Sequence, residues 1–134
     1  MITARQKILG IDYGDQRVGL SLAESNSMAV PYQVIANNNP EDLIKQLQDV
    51  IKAEDVKVVV VGLPHSLSGQ PNQRLQITQE FVDYLKANLA IDIQTVDEQL
   101  TSKLYAKMGV KKDIDKHAAT AILDTWLANQ QNND

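Results

Sequence analysis

The chain contains no cysteine, and this absence removes several classes of protein from consideration. Without thiols there is no disulfide framework, no metal site built on cysteine ligands and no thiol catalysis. Long apolar runs are also missing, because the longest covers residues 58–63, whereas a membrane helix needs about 18 or more. Residues 1–7 lack the apolar stretch of a secretion signal. We therefore expect a cytoplasmic protein that does not associate with a membrane.

Positive charge is also in short supply. The 13 basic and 17 acidic residues give a net charge of −4, which argues against a nucleic-acid partner. The distribution is uneven, however, because residues 99–117 carry five lysines against two aspartates. Lys103 and Lys107 are one helical turn apart and would share a helix face. Such a face is either a solvated surface or a contact for a phosphate backbone.

The 134 residues, 43% of them hydrophobic, fit one globular domain covering residues 1–134. Apolar runs and turns predict the order βββαβαβα, an α/β fold with a mixed five-stranded sheet flanked by helices. Predicted strands cover residues 7–12, 17–23, 30–35, 58–63 and 91–96, and predicted helices cover 40–53, 75–89, 100–108 and 114–127. The polar residues 129–134 are predicted to form a frayed tail.

Acidic residues stand at the ends of three predicted elements. Asp12 lies in an apolar strand, Asp97 and Glu98 close the fifth strand, and Asp115 opens the last helix. An ionised carboxylate within a sheet is costly unless it is paired, hydrogen-bonded or bound to a metal. Three of them together indicate a hard cation such as Mg²⁺. Each also has a structural interpretation, because Asp12 suits a turn and acids at helix starts interact favourably with the helix dipole.

Four segments of the chain resemble the YqgF/RuvX family, whose members are described as Holliday-junction resolvases and pre-16S rRNA nucleases with an RNase H-like fold. The segments are residues 8–21 (ILGIDYGDQRVGLS), 59–64 (VVVGLP, with Gly69 after it), 96–101 (VDEQLT) and 114–119 (IDKHAA). They follow the family's order, and the resemblance extends over residues 8–127. One Asp-x-Gly motif would be weak evidence, whereas four motifs in register are specific.

The resemblance implies that three acids form the catalytic site. Asp12, Glu98 and Asp115 match the family's metal-binding residues, which implies two Mg²⁺ or Mn²⁺ ions and the hydrolysis of phosphodiester bonds. One position departs from the pattern, because Gln99 stands where the family usually has arginine. Glutamine forms hydrogen bonds but brings no charge to a phosphate or a carboxylate.

Five further residues are candidates for contacting nucleic acid. Arg17 and Thr101 match a basic and a hydroxyl position of the family's motifs. Ser66 follows the fourth strand at its carboxyl end, where open α/β sheets tend to bind ligands, although its loop also suits an ordinary turn. Lys103 and Lys107 of the basic segment complete the set.

The function that the resemblance implies is a metal-dependent nuclease, with 5′-end processing of pre-16S rRNA in ribosome biogenesis as the preferred reaction. Resolution of four-way DNA junctions is the alternative, and it requires two matched cuts and so a homodimer, whereas RNA trimming needs only a monomer. A non-catalytic RNA-binding assembly factor also stays open because of Gln99. The actin-like ATPases and sugar kinases are disfavoured, since they close two such domains around a nucleotide.

Overall fold

The computed structural model describes residues 6–24, 28–64, 72–97 and 114–132, with side chains in the last range for 118–130. These ranges contain the predicted succession of strands and helices. The elements are β1 (Lys7–Tyr13), β2 (Arg17–Glu24), β3 (Val30–Ala36), α1 (Pro40–Glu54), β4 (Val56–Leu63), α2 (Gln73–Asn88), β5 (Asp92–Asp97) and α3 (Ile114–Asn132). The helix predicted at 100–108 lies outside the described residues.

The strands form one mixed sheet in the order β3-β2-β1-β4-β5. β1 pairs antiparallel with β2, and β2 antiparallel with β3. β1 also pairs parallel with β4, and β4 parallel with β5. The predicted mixed five-stranded sheet is therefore confirmed. β1 lies in the middle, where the antiparallel half of the sheet meets the parallel half.

Side-chain alternation along β1 divides the core between the two faces of the sheet. Leu9 and Ile11 face α1 and α2, and they belong to a large apolar cluster. Ile8 belongs to a smaller cluster that includes Ile122 and Leu123 of α3. The central strands are therefore covered by helices on both faces, as the apolar run at residues 58–63 predicts.

Local capping determines where α1 and α2 begin. The side chain of Asn39 accepts a hydrogen bond from the backbone N–H of Asp42, and that of Asn72 accepts one from Leu75. Each bond satisfies a donor that the first helical turn leaves without a partner. At the other end of α1, Asp55 adopts the left-handed conformation with φ of 54°. This residue ends the helix and lets β4 start at the next position.

The end of α3 differs from the sequence prediction. The helix continues to Asn132, whereas the sequence predicts its end at residue 127, and the fraying of residues 129–134 stays a prediction. This stretch contains neither glycine nor proline, and a polar composition alone supplies no signal that stops a helix. In the part of the chain that the structure describes, no helix combines the length and the apolar character needed to cross a membrane.

Candidate active site at the carboxyl end of β1

Asp12 lies near the end of β1, on the face of the sheet that α3 covers. It is opposite Gly19 in the register of β2, and continuation of the β4 register beyond Ile11 and Val61 makes Asp12 level with Gly62. Both flanking positions therefore carry no side chain. Glycines at such positions often mark a place where a ligand or another part of the chain approaches the backbone of the sheet, and the partly buried Asp12 carboxylate lies beside them.

The helix α3 crosses this face next to Asp12. A Cβ atom built on Gly19 would lie 3.7 Å from the Cβ of Asp12 and 3.8 Å from the Cβ of Ala119. Leu123, one turn later in α3, lies beside Gly10 of β1. The first turn of α3 is therefore directed towards the end of the sheet at which Asp12 lies. Asp115 is one turn before Ala119, about 6 Å further along the helix axis in that direction.

The turn that follows Asp12 is held by Asn37. Its side-chain Nδ2 donates to the carbonyl oxygen of Gly14 over 2.8 Å, and its backbone N–H donates to that of Gln16 over 2.9 Å. Glycine is required at position 14, because a Cβ atom there would overlap the carbonyl oxygen of Arg17. The connection between β1 and β2 is therefore tightly specified.

Arg74 of α2 holds the same turn from the other side. Its Nη2 donates to the carbonyl oxygen of Tyr13 over 2.9 Å, and its Nη1 pairs with the carboxylate of Asp15 over 2.5 Å. Sequence reasoning missed this residue, because its partners lie about 60 positions away in the chain. The available signal was composition, since Arg74 is one of only three arginines.

The predicted site residues fall into two groups in the structure. Asp12 and Arg17 are described, and alternation from Gly19 puts the exposed Arg17 on the Asp12 face of β2. For Asp115 the structure describes only the backbone, which belongs to the first turn of α3. The other predicted residues lie outside the described ranges: Ser66, Glu98, Thr101, Lys103 and Lys107, as does Gln99. Among the described side chains, no three histidine, aspartate or glutamate residues form a group that could hold a metal ion.

A family model described as "RuvX: Holliday junction resolvase" matches residues 6–129. The chain belongs to this family. A protein of Desulforudis audaxviator, named "Putative pre-16S rRNA nuclease", is 33% identical over 131 residues, which cover 90% of this chain and 93% of the relative. A protein of the same name from Maridesulfovibrio salexigens is 33% identical over 132 residues, covering 91% and 98%. The predicted family is confirmed, and the predicted nuclease class agrees with these relatives.

A solved structure supports the predicted fold. Thermus thermophilus RuvC in complex with a Holliday junction substrate superimposes on this RuvX-family chain with a TM-score of 0.63. The match covers 95% of this chain and 96% of that one, although only 11% of the aligned residues are identical. The predicted RNase H-like fold is confirmed.

Proposed function

We propose that this RuvX-family protein is a metal-dependent nuclease that processes the 5′ end of pre-16S rRNA. The observation that carries the proposal is the position of Asp12. It is a partly buried carboxylate near the carboxyl end of the central strand, opposite Gly19 of β2 and close to Ala119 of α3. The names of the relatives from Desulforudis audaxviator and Maridesulfovibrio salexigens support the choice of RNA substrate.

The available donors fit a hard divalent cation. Asp12, Glu98 and Asp115 are all carboxylates, and carboxylate oxygens are the ligands that Mg²⁺ and Mn²⁺ prefer. Glu98 is the residue that directly follows β5, in which Val96 pairs with Gly62. Asp115 lies in the first turn of α3. Two such ions, if bound by these residues, would activate a water molecule and stabilise the leaving oxygen.

The chain's own residues supply orientation in this mechanism. Asp12 is on a central strand that is hydrogen-bonded on both sides, so its carboxylate is a rigid reference point for the site. Arg17, on the same face of the adjacent strand, is suited to contact a phosphate of the substrate. We propose that Thr101, Ser66, Lys103 and Lys107 make further contacts with the nucleic acid.

The net charge of −4 makes a distinctive prediction for substrate binding. Two divalent ions add four positive charges, so the loaded protein has a formal charge of zero. Affinity for RNA is therefore expected to rise when Mg²⁺ is added. Tight binding in the presence of a chelator would contradict this account.

The substitution Asp12→Asn tests the catalytic assignment. It preserves the size of the side chain and removes its charge, so cleavage of a pre-16S rRNA 5′-end substrate is expected to fall by a factor on the order of 100 or more. Asp49→Asn makes the same chemical change at an exposed position of α1 and is the matched control. Unchanged turnover of Asp12→Asn at saturating metal would refute the assignment.

Junction resolution is the second candidate, and the family description together with the fold of junction-bound RuvC favours it. A direct assay offers the protein the RNA precursor, an unstructured RNA and a four-way DNA junction at equal concentrations. We expect preferential cleavage of the precursor. Preference for the junction by a species with the mass of a dimer would overturn the RNA assignment. Binding of either substrate without cleavage, in both Mg²⁺ and Mn²⁺, would indicate a non-catalytic assembly factor.

A further inference from the structure

We propose that Ser21 is a positioning residue of the metal site, and that its contact with α3 sets the separation between Asp12 and Asp115. This inference rests on the proposed function, because it takes these two residues as ligands of the same centre. Ser21 itself touches neither the metal nor the substrate in this proposal. It acts through the helix that carries Asp115.

The contact joins two distant parts of the chain. Ser21 is completely buried on β2, and its Oγ donates a hydrogen bond of 2.6 Å to the carbonyl oxygen of Ala119. A helical carbonyl already accepts a bond from the N–H four residues later, so α3 does not need this hydroxyl in order to form. A carbonyl oxygen has a second lone pair, however, and here it is used to join the helix to the sheet.

Gly10, which pairs with Ser21 across β1 and β2, permits this close approach because it has no side chain. A Cβ atom on Gly10 would overlap the Ser21 hydroxyl and would lie 2.6 Å from Leu123 Cγ and 3.0 Å from the carbonyl oxygen of Ala119. The helix therefore lies so close to β1 that no side chain fits at position 10. Moving away would break the Ser21 bond and leave a buried hydroxyl without a partner, so this bond opposes any increase in the spacing.

This spacing is transmitted to the two carboxylate positions. Ala119 lies beside the pair formed by Asp12 and Gly19, and Asp115 is one helical turn before Ala119. Mg²⁺ requires oxygen ligands at about 2.0–2.1 Å in near-octahedral geometry, and it tolerates little displacement. Functional sites generally need their groups held within about 0.5 Å. A small shift of α3 is therefore expected to weaken metal binding while leaving the fold intact.

A second buried hydroxyl provides a matched control. Thr78 is 1% exposed, and its Oγ1 donates to the carbonyl oxygen of Arg74, four residues earlier in the same helix, over 2.8 Å. This bond has the same chemistry as that of Ser21, but it lies within α2 on the other side of the sheet. Thr78→Val removes this bond. Because the bond lies within α2, its loss breaks no hydrogen bond between a helix and a strand.

The experiment compares Mn²⁺ affinity in the full chain for the wild type, Ser21→Ala, Thr78→Val and Asp12→Asn, by titration calorimetry. Ser21→Ala is expected to weaken binding about 10-fold or more, a loss of the size that follows when the support of a metal ligand is removed, because α3 carries Asp115. Thr78→Val is expected to stay within about twofold. Cleavage by Ser21→Ala is expected to recover at saturating Mn²⁺. If Ser21→Ala does not fold, Ser21→Cys, which retains a weak donor, is measured in its place.

The outcomes separate this inference from the proposed function. Wild-type Mn²⁺ affinity in Ser21→Ala, alongside a loss of affinity in Asp12→Asn, overturns the positioning role and leaves the nuclease assignment standing. Equal weakening by Ser21→Ala and Thr78→Val also overturns it, because any buried hydroxyl would then have the same effect. If the wild type binds no Mn²⁺, or Asp12→Asn binds as tightly as the wild type, the proposed metal site itself is refuted.

Discussion

The two faces of the sheet are built in different ways. The face covered by α1 and α2 is filled with branched and aromatic side chains, whereas the face covered by α3 carries small and polar residues near the candidate site. Apolar packing supplies stability but specifies position loosely, while directional hydrogen bonds specify position at little net gain in stability. The candidate site lies on the second face, where position matters most.

The α1 and α2 face is a continuous apolar layer. Tyr13 and Phe81 stack with ring centroids 3.9 Å apart and planes inclined by 15°. The helices contribute Leu47 and Leu85, both completely buried. The strands contribute further buried residues: Leu9, Ile11, Val18, Leu20, Val59, Val61 and Ile93. This layer accounts for most of the core in the described part of the chain.

The α3 face also has an apolar cluster, but side-chain hydrogen bonds join its helix to three parts of the sheet. Besides the Ser21 bond to β2, the carboxylate of Asp124 accepts from the backbone N–H of Ala29, just before β3, over 3.1 Å. The indole of Trp126 donates to Gln94 of β5 over 3.0 Å. Bonds to β2, β5 and the start of β3 restrict the rotation as well as the distance of α3.

The largest predicted effect on stability belongs to the apolar face. Leu47→Ala is expected to lower the free energy of unfolding by about 2–5 kcal/mol, because it removes a completely buried side chain and leaves a cavity. Urea unfolding measures the loss. Metal affinity and cleavage below the unfolding transition are expected to remain at wild-type values. A folded Leu47→Ala protein with impaired metal binding would remove the distinction between the faces.

A smaller effect is expected where α3 meets the sheet. Gly10→Ala is expected to cost about 1–3 kcal/mol through overpacking, and it should displace α3. Gly19→Ala is the control, because its Cβ atom would make only ordinary contacts of 3.7 and 3.8 Å. The control is expected to change the unfolding free energy by less than about 0.5 kcal/mol. Equal urea midpoints for the two variants would show that the close approach at Gly10 is unimportant.

Arg74 sharpens the comparison, because it belongs to a helix of the apolar face but holds the turn after Asp12. Arg74→Met is expected to cost about 1 kcal/mol, since it removes a bond to a backbone carbonyl as well as an ion pair. Asp15→Asn removes only the ion pair, which is 73% exposed on the carboxylate side, and is expected to cost less than about 0.5 kcal/mol. Thermal unfolding of both variants checks the order, which a larger loss in Asp15→Asn would contradict.

Local patterns in the sequence predict most of this fold. The apolar run at Val58–Leu63 predicts a strand buried on both faces, and this is confirmed. Alternation in residues 17–23 predicts a half-buried strand; the strand is confirmed, but its second face is buried as well, because Ser21 and Ala23 lie under α3. Hydrophobic period and turn residues act over a few positions, so one sequence is enough to detect them. The end of α3 was predicted wrongly because no local stop signal exists there.

Tertiary contacts at the site could not be predicted in the same way. Ser21 and Ala119 are 98 positions apart, and Arg74 and Asp15 are 59 apart. Nothing in the residues near either partner indicates the other, because the contact depends on how close a helix comes to the sheet. Asp12 could be identified from its own surroundings, as a charge in an apolar strand. The roles of Glu98 and Asp115 came from the family resemblance, and they remain predictions.

The smallest predicted effects separate the two faces by the sign of their response to pH. Burial raises the pKa of Asp124, and the N–H of Ala29 partly opposes this. Its ionised form is therefore less favourable in the folded than in the unfolded chain, and it costs stability at neutral pH. The hydrogen bond from Lys7 lowers the pKa of Glu54, at the end of α1. That carboxylate contributes stability at neutral pH, which is lost as the pH falls through its folded pKa.

Two conservative variants test this contrast. Asp124→Asn can still accept from Ala29 without a charge, so it is expected to raise stability at pH 7 by less than about 1 kcal/mol. The gain should vanish below the ordinary aspartate pKa of 3.8, where the wild-type carboxyl is neutral in both states. Glu54→Gln should instead lower stability at pH 7, again converging with the wild type in acid. Urea midpoints between pH 3 and 7 measure both curves. If both variants lower the stability at pH 7, the bond to Ala29 favours the Asp124 carboxylate more than burial disfavours it. In that case the charge of Asp124 helps to hold α3 in place.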